Sequence, residues 1–515
     1  MFVRRLPVVL ALACGAAALL SSCAVGPRYH APQAPANAGY SPQALPETTS
    51  AADVHGGDVQ HFVAGRDVPF EWWESFQSEA LSSLVERAFK KNPTIAAAQA
   101  ALRQADELTS AQRGFFFPTV AAGYQFERQK LAGNLSGSSA PGDQGNGQVI
   151  QAYQNASSTP HNEPLYYNLH TAQLTVGFVP DVFGANRRQV ESLAAQRDAQ
   201  RFQLEATYVT LASNVVAAAI QEASCRAQLA GVYEIIDSNR KALDILRQQF
   251  KLGYVMRLDV AAQESALAQA KELLPPLQKQ LDQTRDLIRA LAGNLPDEDV
   301  TETFELDSLQ LPRELPISVP AKLIVQRPDV MAAQAQLHAA NAQVGVAVAN
   351  MLPQFSITGG AGGTATAFDW MFRSGGPFWN VVGGVSQPIF DGGTLWHRKR
   401  AADQALQQAA YQYQATVIAA YQNVADSLHA SLSDADALGA AVEAENAART
   451  TLDLTRRQLD AGYVNYLALL SAETAYSQAL LNRIQAQAVR FGDTVALFQA
   501  LGGGWWERDA KAAAR

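Results

Sequence analysis

A long stripe of apolar residues runs through the chain between about residues 185 and 250. Apolar positions recur there at alternating steps of four and three, which is the period of a coiled-coil seam. The positions are Leu204, Tyr208, Leu211, Val215, Ala218, Glu222, Cys225, Leu229, Val232 and Ile236. The pattern predicts a helix over residues 185–250, roughly 100 Å long at 1.5 Å per residue. An ordinary helical bundle core would produce the same stripe.

Four shorter runs alternate between apolar and polar residues. They cover about 117–128, 167–179, 353–365 and 378–390. In the first run Val120 and Tyr124 point to one side, and Gln125 points to the other. Runs of about 11 residues with this alternation suit membrane strands with one apolar and one polar face. A half-buried soluble sheet shows the same alternation, so the strand pattern alone favours neither.

The chain contains an internal repeat. Asn92-Pro93 in the first copy and Arg327-Pro328 in the second each begin an alanine-rich amphipathic stretch. Each stretch ends 25 residues later at another proline, Pro118 or Pro353. Further on, Arg247–Val255 is repeated in similar form 209 residues later, at Arg456–Val464. These matches indicate a tandem duplication.

Both copies predict the same order of elements: a helix, two strands, a very long helix, a glycine turn and a shorter helix. The predicted helices are 80–113, 185–250 and 258–292 in the first copy, and 321–350, 395–460 and 466–500 in the second. The first copy has 26 extra residues, which we assign to a surface loop within 131–160. Pro275-Pro276 would kink the last helix of the first copy.

The strand count bears on how the chain would cross a membrane. Past the first 20 residues no helical run is apolar enough to span, so a spanning chain must use strands that close into a barrel. Four strands per chain are too few, because single-chain barrels begin at about eight. Two chains would give a plugged barrel and three the beginnings of a pore. The polar inner positions favour three chains.

The N-terminus reads as a targeting segment. Arg4 and Arg5 precede an apolar stretch, and Leu20-Ser21-Ser22-Cys23 is similar to a bacterial lipobox. The favoured interpretation is a lipoprotein signal peptide over 1–22 and a covalent lipid on Cys23. An ordinary secretory leader that happens to contain Cys23 is the alternative. From residue 24 to about 69 the chain is rich in Pro, Ala and Gly, which predicts an extended tether.

Composition and charge exclude several classes of function. The formal net charge of −8 argues against nucleic acid as a partner. The eight histidines are scattered, and no catalytic or metal-binding motif is found, so we predict no enzyme, no metal and no cofactor beyond the lipid on Cys23. Cys225 lies on the apolar seam, which favours a buried core thiol.

The two glycine turns are candidate sites because they repeat almost identically. Gly253 and Gly462 can adopt the positive φ that ends a helix. The predicted partner-contacting residues are Gly253, Tyr254, Val255, Gly462, Tyr463 and Val464. Asp259 stands where it could cap the helix that follows the first turn. A favourable helix–helix turn without any partner would explain the same repeat.

Several motifs resemble those of the TolC/OprM-like outer-membrane factors, the NodT-type efflux outer-membrane lipoproteins. The motifs are Trp72-Trp73 with Phe76 and Leu81, Pro180-Asp181-Val182-Phe183-Gly184, Leu315-Pro316 with Pro320, Leu323-Ile324 and Arg327-Pro328-Asp329-Val330, Pro388-Ile389-Phe390-Asp391-Gly392-Gly393, and Ala500-Leu501-Gly502-Gly503-Gly504-Trp505. The resemblance implies a mixed, mainly α fold. It would be a homotrimer with a shared 12-stranded transmembrane β-barrel, a long-helix periplasmic α-barrel and an equatorial domain.

The resemblance also divides the chain into segments. They are a signal peptide (1–22), a lipidated Pro-rich tether (23–70), a first structural repeat (71–292), an equatorial linker (293–320), a second repeat (321–501) and a C-terminal tail (502–515). The tether, the linker and the C-terminus would build the equatorial belt.

The resemblance implies partners and a gate. A periplasmic adaptor would dock on the turn tips, an RND or ABC-type pump would stand in the inner membrane, and outer-membrane lipid would surround the barrel. Asp259 matches an aspartate that in the family helps hold the closed state. Leu467 matches a leucine that narrows the closed tip in OprM-like members. Ser471 stands where many relatives have an aspartate ring, which leaves the gate's response to cations open. Glu473 faces elsewhere by helical rotation.

The resemblance implies an outer-membrane efflux duct for drugs or other small molecules, opened by iris-like movement of the tips. Alternatives within the fold are a type I protein-secretion duct or a metal-efflux duct. A non-channel coiled-coil lipoprotein that tethers the envelope is the alternative from another class. It would explain the anchor and the seams but not the duplicated strand pairs.

Overall fold

The computed structural model describes residues 24–33, 39–131 and 165–508. Its helices are α1 (Glu79–Lys91), α2 (Pro93–Arg113), α3 (Ala185–Lys251), α4 (Arg257–Glu272), α5 (Leu274–Leu291), α6 (Pro320–Gln326), α7 (Pro328–Ala349), α8 (Thr394–Asp460) and α9 (Tyr466–Ala500). Its strands are β1 (His61–Ala64), β2 (Thr119–Leu131), β3 (Leu165–Phe178), β4 (Glu314–Ile317), β5 (Gln354–Ala365) and β6 (Pro377–Ser386). The predicted mainly α fold is confirmed. The loop predicted at 131–160 lies outside the described residues beyond Leu131.

The two long helices confirm the duplication. Helices α3 and α8 each contain 67 residues and begin and end 209 positions apart. The predicted seam of α3 is buried at every position but Tyr208, which is half-buried. The polar interruption, Glu222, is fully buried and pairs with Arg226 at 2.7 Å and Arg285 at 3.3 Å. Two arginines therefore compensate the burial of this carboxylate.

The predictions of single helices over 80–113 and 321–350 were wrong. Each is two helices, separated at Asn92 in the first copy and at Arg327 in the second. Both residues have extended backbone, with ψ of 123° and 122°. The proline that follows clashes with an α conformation at the preceding residue, so the chain turns there.

The predicted interruption at Pro275-Pro276 is confirmed. The return helix of the first copy divides into α4 and α5 at Leu273, and the two prolines lie in the first turn of α5. Proline is tolerated there because the first-turn N–H groups have no partner within the helix. The corresponding helix of the second copy, α9, continues unbroken for 35 residues.

The described chain folds as two compact units. The first comprises the described residues of 24–28, 108–192 and 341–404, and the second comprises those of 29–107, 193–340 and 405–508. The first unit contains an antiparallel sheet in the order β2-β3-β5-β6. Each copy contributes one hairpin to this sheet.

The register of the sheet confirms the predicted alternation. One row of paired residues crosses all four strands, from Val120 through Val176 and Gly359 to Val381. Directly paired residues share a face, so the apolar positions of the four runs form one apolar surface. It is exposed in this chain: Val120 is 68% exposed and Val381 is 69% exposed.

The fourth strand is shorter than predicted. It ends at Ser386 rather than near residue 390. The Gln387 side chain donates to the carbonyls of Met351 and Pro388, and Pro388 has no N–H to continue the ladder. Strand pairing therefore stops before the proline.

The second unit has an aromatic core beside its long helices. The Trp72 ring lies 5.3 Å from Phe498 and the Phe76 ring 6.3 Å from Phe491, and all four side chains are buried. Trp505 donates from its indole Nε1 to the carbonyl of Gln326 at 2.6 Å. The tryptophans and the closing motif that carried the resemblance thus lie within one folded core.

The described part of the predicted tether, residues 24–33 and 39–69, does not run free but packs against other elements, and it pairs with the predicted linker as expected for the belt. Strand β1 pairs in parallel with β4 of the predicted linker. The Gln60 amide is buried and donates to Pro312 O and Thr494 Oγ1, and buried Arg490 donates to Thr49 Oγ1 and Asp58 O. Side chains from α9 satisfy the backbone of this segment, which proline and glycine content does not reveal.

Across the described residues, no helix combines the length and apolar character needed to cross a bilayer.

Candidate functional site at the hairpin tips

The two glycine turns have the same backbone conformation. Gly253 has φ of +81° and Gly462 has φ of +77°. In the first turn Gly253 N–H donates to Phe250 O at 3.0 Å, and Tyr254 N–H donates to Gln249 O at 2.9 Å. The equivalent distances in the second turn are 2.9 and 2.8 Å. Both are Schellman turns, in which the left-handed glycine satisfies the last carbonyls of the long helix.

The predicted contact residues of the two turns differ in how far they are exposed. Tyr254 is 78% exposed and Tyr463 83% exposed, and both glycines are exposed as well. The two valines, Val255 and Val464, are half-buried. The tyrosines therefore form the accessible part of each tip, and Val255 packs against the buried apolar core.

The next helix is capped differently at each tip. The Asp259 carboxylate accepts from the N–H of Met256 at 2.9 Å, within the first turn of α4. In the second copy the Asn465 side chain accepts from the N–H of Ala468 at 3.0 Å. The predicted capping role of Asp259 is confirmed, since its carboxylate accepts an N–H group at the start of α4. Both arrangements satisfy an N–H group at a helix start.

The other predicted gate residues are accessible. Leu467 is 53% exposed, and Ser471, one turn further along α9, is also exposed. Glu473 is buried and paired with Arg456 at 3.2 Å. It therefore does not replace the charge that Ser471 lacks, as predicted from helical rotation.

An ion pair closes each hairpin, and both pairs follow the 209-residue repeat. Arg247 pairs with Glu264 at 3.0 Å in the first copy, as Arg456 does with Glu473 in the second. Glu264 has a side chain that is 33% exposed, whereas that of Glu473 is 9% exposed. These pairs carry no local motif and were not predicted, although the repeat offset applied to the charged residues identifies them.

Polar side chains link the two hairpins to each other. The Tyr466 hydroxyl donates to Gln263 Oε1 at 2.6 Å, and Gln263 Nε2 donates to Asn239 Oδ1 at 2.9 Å. Arg456 also donates to Ser238 Oγ at 3.2 Å. Gln263 and Asn239 are buried, so each depends on these partners. The link holds the second copy's tip against the first copy's helices.

The electrostatics of the link favour a neutral tyrosine. Burial raises the pKa of the Tyr466 hydroxyl above its usual range, and the negative charges of Glu473 and Asp259 add to the rise. The hydroxyl therefore stays protonated and keeps its donor role. Sequence reasoning missed this group because Gln263 and Tyr466 are far apart in the chain and carry no motif.

The remaining predicted sites are outside this region. Cys23 lies outside the described residues, which begin at Ala24. Within the described ranges no group of His, Cys, Asp or Glu side chains is arranged to hold a metal ion. The Cys225 thiol is buried, as predicted, and burial raises its pKa, which disfavours the reactive thiolate.

Comparison with known proteins identifies a family and several relatives that match most of the chain. The family model described as outer membrane efflux protein matches residues 84–294 and 319–503, and so covers both repeats. The chain is 28% identical over 434 residues to the pyoverdine export outer membrane protein OpmQ of Pseudomonas putida, covering 84% of this chain and 88% of that protein. It is 24% identical to the toluene efflux pump outer membrane protein TtgF of Pseudomonas putida, covering 94% and 95%.

Solved structures share the fold. The outer-membrane channel OprN superposes with a TM-score of 0.79 at 25% sequence identity, covering 94% of this chain and 100% of that one. The outer membrane channel CmeC of Campylobacter jejuni superposes with a TM-score of 0.78 at 20% identity, covering 96% and 98%.

Proposed function

The chain belongs to the outer membrane efflux protein family, and on that premise we propose that it is the outer-membrane channel of a tripartite efflux pump. It serves as a passive exit duct for drugs or other small molecules and performs no catalysis. The names of its relatives, a pyoverdine export protein and a toluene efflux pump component, support a small-molecule cargo. It resides in the outer membrane and extends into the periplasm.

The observation that carries the proposal is the exposed apolar face of the four-stranded sheet. Its two edge strands, β2 and β6, each have an unpaired side among the described residues. A membrane sheet cannot leave an edge in lipid, and four strands are too few to close on themselves. Three copies joined edge to edge give a closed twelve-stranded barrel, so the channel is a homotrimer.

Aromatic residues support the membrane position of this sheet. Phe115, Phe116 and Phe117 are exposed just before β2. Phe368, Trp370 and Phe372 are exposed in the connection between β5 and β6. Transmembrane barrels carry such aromatic girdles where strands meet the two bilayer interfaces. A lipid on Cys23 provides an additional anchor in the same membrane.

The hairpin tips are the proposed site of contact with the rest of the pump. The exposed tyrosines Tyr254 and Tyr463 dock a periplasmic adaptor, which connects the channel to an RND or ABC-type inner-membrane pump. Leu467 and Ser471 line the closed aperture, and iris-like movement of the tips opens it. Opening must release the Tyr466–Gln263 link or carry both hairpins together, because that bond joins the two copies.

Single-channel conductance of the purified, detergent-extracted protein tests the proposal, with its mass measured first. We expect a trimer with small, rare openings. Leu467→Ser should widen or prolong the openings, because it removes an apolar side chain from the aperture. The matched variant is Leu258→Ser, at the equivalent position of the first tip, where the leucine is 67% exposed.

The outcomes separate the alternatives. An effect of Leu467→Ser alone assigns the constriction to the second tip. Equal effects of both variants would place it on both tips and contradict the assignment to Leu467. A monomer without conductance would contradict the shared barrel and favour an envelope-tethering lipoprotein.

A further inference from the structure

The exposed apolar face of the four-stranded sheet ends in two cations on β2. Because side chains alternate along a strand, this face receives the even-numbered positions of β2, which are apolar or aromatic from Val120 to Phe126. The next two positions on the face are Arg128 and Lys130, and both are exposed. Glu127 points to the opposite face. The cations therefore lie on the side of the sheet that the proposed function places in lipid.

Strand β3 supplies polar side chains beside the two cations. The register pairs Arg128 with Asn168 and Lys130 with Tyr166, so these four residues share one face. Lys130 Nζ lies 5.3 Å from the centre of the Tyr166 ring, and Tyr166 is 58% exposed. Neither Arg128 nor Lys130 forms an ion pair with a residue that the structure describes. Both positive charges can therefore reach a partner outside the chain.

A layer of rings separates the cations from the apolar part of the face. His170 is paired with Phe126, and their ring centres are 4.8 Å apart. The Tyr124 hydroxyl and His170 Nδ1 are hydrogen-bonded at 2.8 Å. Phe368, from the connection between β5 and β6, meets the Tyr124 ring edge-on at 5.9 Å. Transmembrane barrels carry such rings where their strands leave the hydrocarbon core.

The height of the apolar part agrees with this position. Val120 and Arg128 are eight positions apart, which is roughly 27 Å along a strand at about 3.4 Å per residue. A strand tilt of about 40° reduces the height to roughly 21 Å, and the apolar band of a transmembrane barrel is about 25 Å tall. Strand β2 begins shortly after α2 ends. The cations therefore lie at the bilayer interface remote from α2.

We propose that Arg128 and Lys130 bind the phosphate groups of the glycolipid that forms the outer leaflet of an outer membrane. The inference rests on the proposed function, which places the helices in the periplasm and this end of the sheet in the outer leaflet. The arginine can donate two parallel hydrogen bonds to a phosphate, and the lysine adds a compact charge. Tyr166 and Asn168 offer further donors on the same face.

The spacing of these groups suits a phosphorylated headgroup. Alternate residues of a strand are about 7 Å apart, so Arg128 and Lys130 can reach one phosphate together or one each on neighbouring lipids. The rings of Phe126 and Tyr124 lie on the apolar side of the cations, where the acyl chains of the same lipid begin. The surface therefore matches both parts of the lipid, its anionic headgroup and its apolar chains.

Native mass spectrometry of the detergent-extracted protein, titrated with the diphosphorylated glycolipid lipid A, tests the inference. Arg128→Gln/Lys130→Gln should weaken lipid A binding roughly tenfold, because it removes the charge-assisted contacts to phosphate. Arg128→Lys/Lys130→Arg keeps both charges and should retain most of the binding. The matched control is Arg398→Gln/Arg400→Gln, which removes two exposed cations at the start of α8, beyond the other end of the sheet. This control should bind as the wild type does.

The probe itself is varied to identify the chemistry that is recognised. Lipid A without phosphates should bind the wild type as weakly as intact lipid A binds Arg128→Gln/Lys130→Gln. If the wild type binds both forms equally, the acyl chains alone are recognised and the inference is wrong. Equal losses in the two glutamine double variants would mean that total charge governs binding. If phosphatidylglycerol shows the same dependence on Arg128 and Lys130 as lipid A, the surface does not select the outer-leaflet lipid.

Photo-crosslinking in intact cells tests the location. A p-benzoylphenylalanine replaces Asn168 beside the cations or, as a control, Phe117 before the start of β2, which is 69% exposed. We expect a glycolipid adduct at 168 and none at 117. An adduct with a second copy of the chain at 168 would show that protein covers this end of the sheet. A monomer without conductance contradicts the proposed channel itself, whereas a conducting trimer without a glycolipid adduct at 168 contradicts only this surface.

Discussion

The two hairpin tips share a backbone and differ in the side chains that follow the turn. The Schellman bonds and the positive φ of Gly253 and Gly462 agree closely, and each hairpin has an arginine–glutamate pair at the same repeat offset. The position that holds Arg257 in the first copy holds Tyr466 in the second, and only the tyrosine bonds across to the other hairpin. Duplication thus preserved the turn, while the contacts between hairpins diverged.

The middle of the helices shows the same divergence. The first copy has buried Cys225 and Thr284 where the second has Asp434 and Asp493. Burial, a hydrogen bond with Asp434 and the charge of that carboxyl together raise the pKa of Asp493 to about 8. Two positions that hold neutral side chains in the first copy therefore hold a pair of carboxyl groups in the second. The two copies should therefore respond differently to substitution where these contacts differ.

The largest expected difference concerns the hairpin ion pairs. Arg456→Met leaves the Glu473 carboxylate buried without its cation and should destabilise the second tip by about 2 kcal/mol. Arg247→Met should cost under about 1 kcal/mol, because Glu264 is more exposed and water replaces the arginine. Hydrogen exchange of the tip amides measures both local opening energies. Equal losses of local stability in the two variants would show that the burial of the glutamate does not distinguish the two ion pairs.

Glycine substitution should affect both tips equally. Gly253→Ala and Gly462→Ala each force a Cβ into the left-handed region, at roughly 1–2 kcal/mol. Neither position has an atom near the added Cβ, so strain is the whole effect. Hydrogen exchange of the last turns of α3 and α8 provides the measurement. A clear difference between the variants would mean that the shared backbone is supported unequally.

Removing the link between the hairpins should have a smaller effect, felt at both of the helices that the link joins. Tyr466→Phe leaves Gln263 Oε1 buried without its donor, at about 1 kcal/mol. Tyr463→Phe is the control, because that side chain is 83% exposed. In channel recordings Tyr466→Phe should also increase the frequency of opening. Identical exchange rates in the two variants would show that the hydroxyl contributes nothing to the link.

A further expected difference is a pH dependence of stability that arises in the second copy. The folded pKa of Asp493 lies above its ordinary value of 3.8, so its stabilising contribution is complete below about pH 4 and is lost as pH rises through about 8. Denaturant unfolding of the wild type should therefore show a decline over this window that Asp493→Asn lacks. Thr284→Val, at the equivalent site of the first copy, should leave the decline unchanged. If the decline in stability persists in Asp493→Asn, another group titrates over this pH window.

Much of the helical architecture could be predicted from the sequence. The long helix over 185–250 was placed within one residue of its observed ends, because a coiled-coil seam and a terminal glycine are local signals. The strand faces were also predicted, since alternation with period two is local. The breaks at Asn92 and Arg327 were missed, although the proline that causes each break was noted.

The candidate site could be predicted only in part. The turn glycines and the exposed tyrosines follow from the repeat. The lipidation at Cys23, the adaptor contacts at the tips and the gate roles of Leu467 and Ser471 stay predictions. The Tyr466–Gln263 link, the burial of Glu473 and the pairing of β1 with β4 join residues distant in the chain, and no local pattern encodes them.

The sequence by itself determined the helix and strand periodicities, the duplication and the glycine turns. Helix seams, strand alternation and glycine conformations depend on neighbours only a few residues apart. Only the tertiary structure decided which polar groups are buried together, since burial of Gln263, Glu473 and Arg188 arises where separate elements meet. A buried polar group must find its partner in space, and its free energy depends on that partner rather than on its own position in the chain.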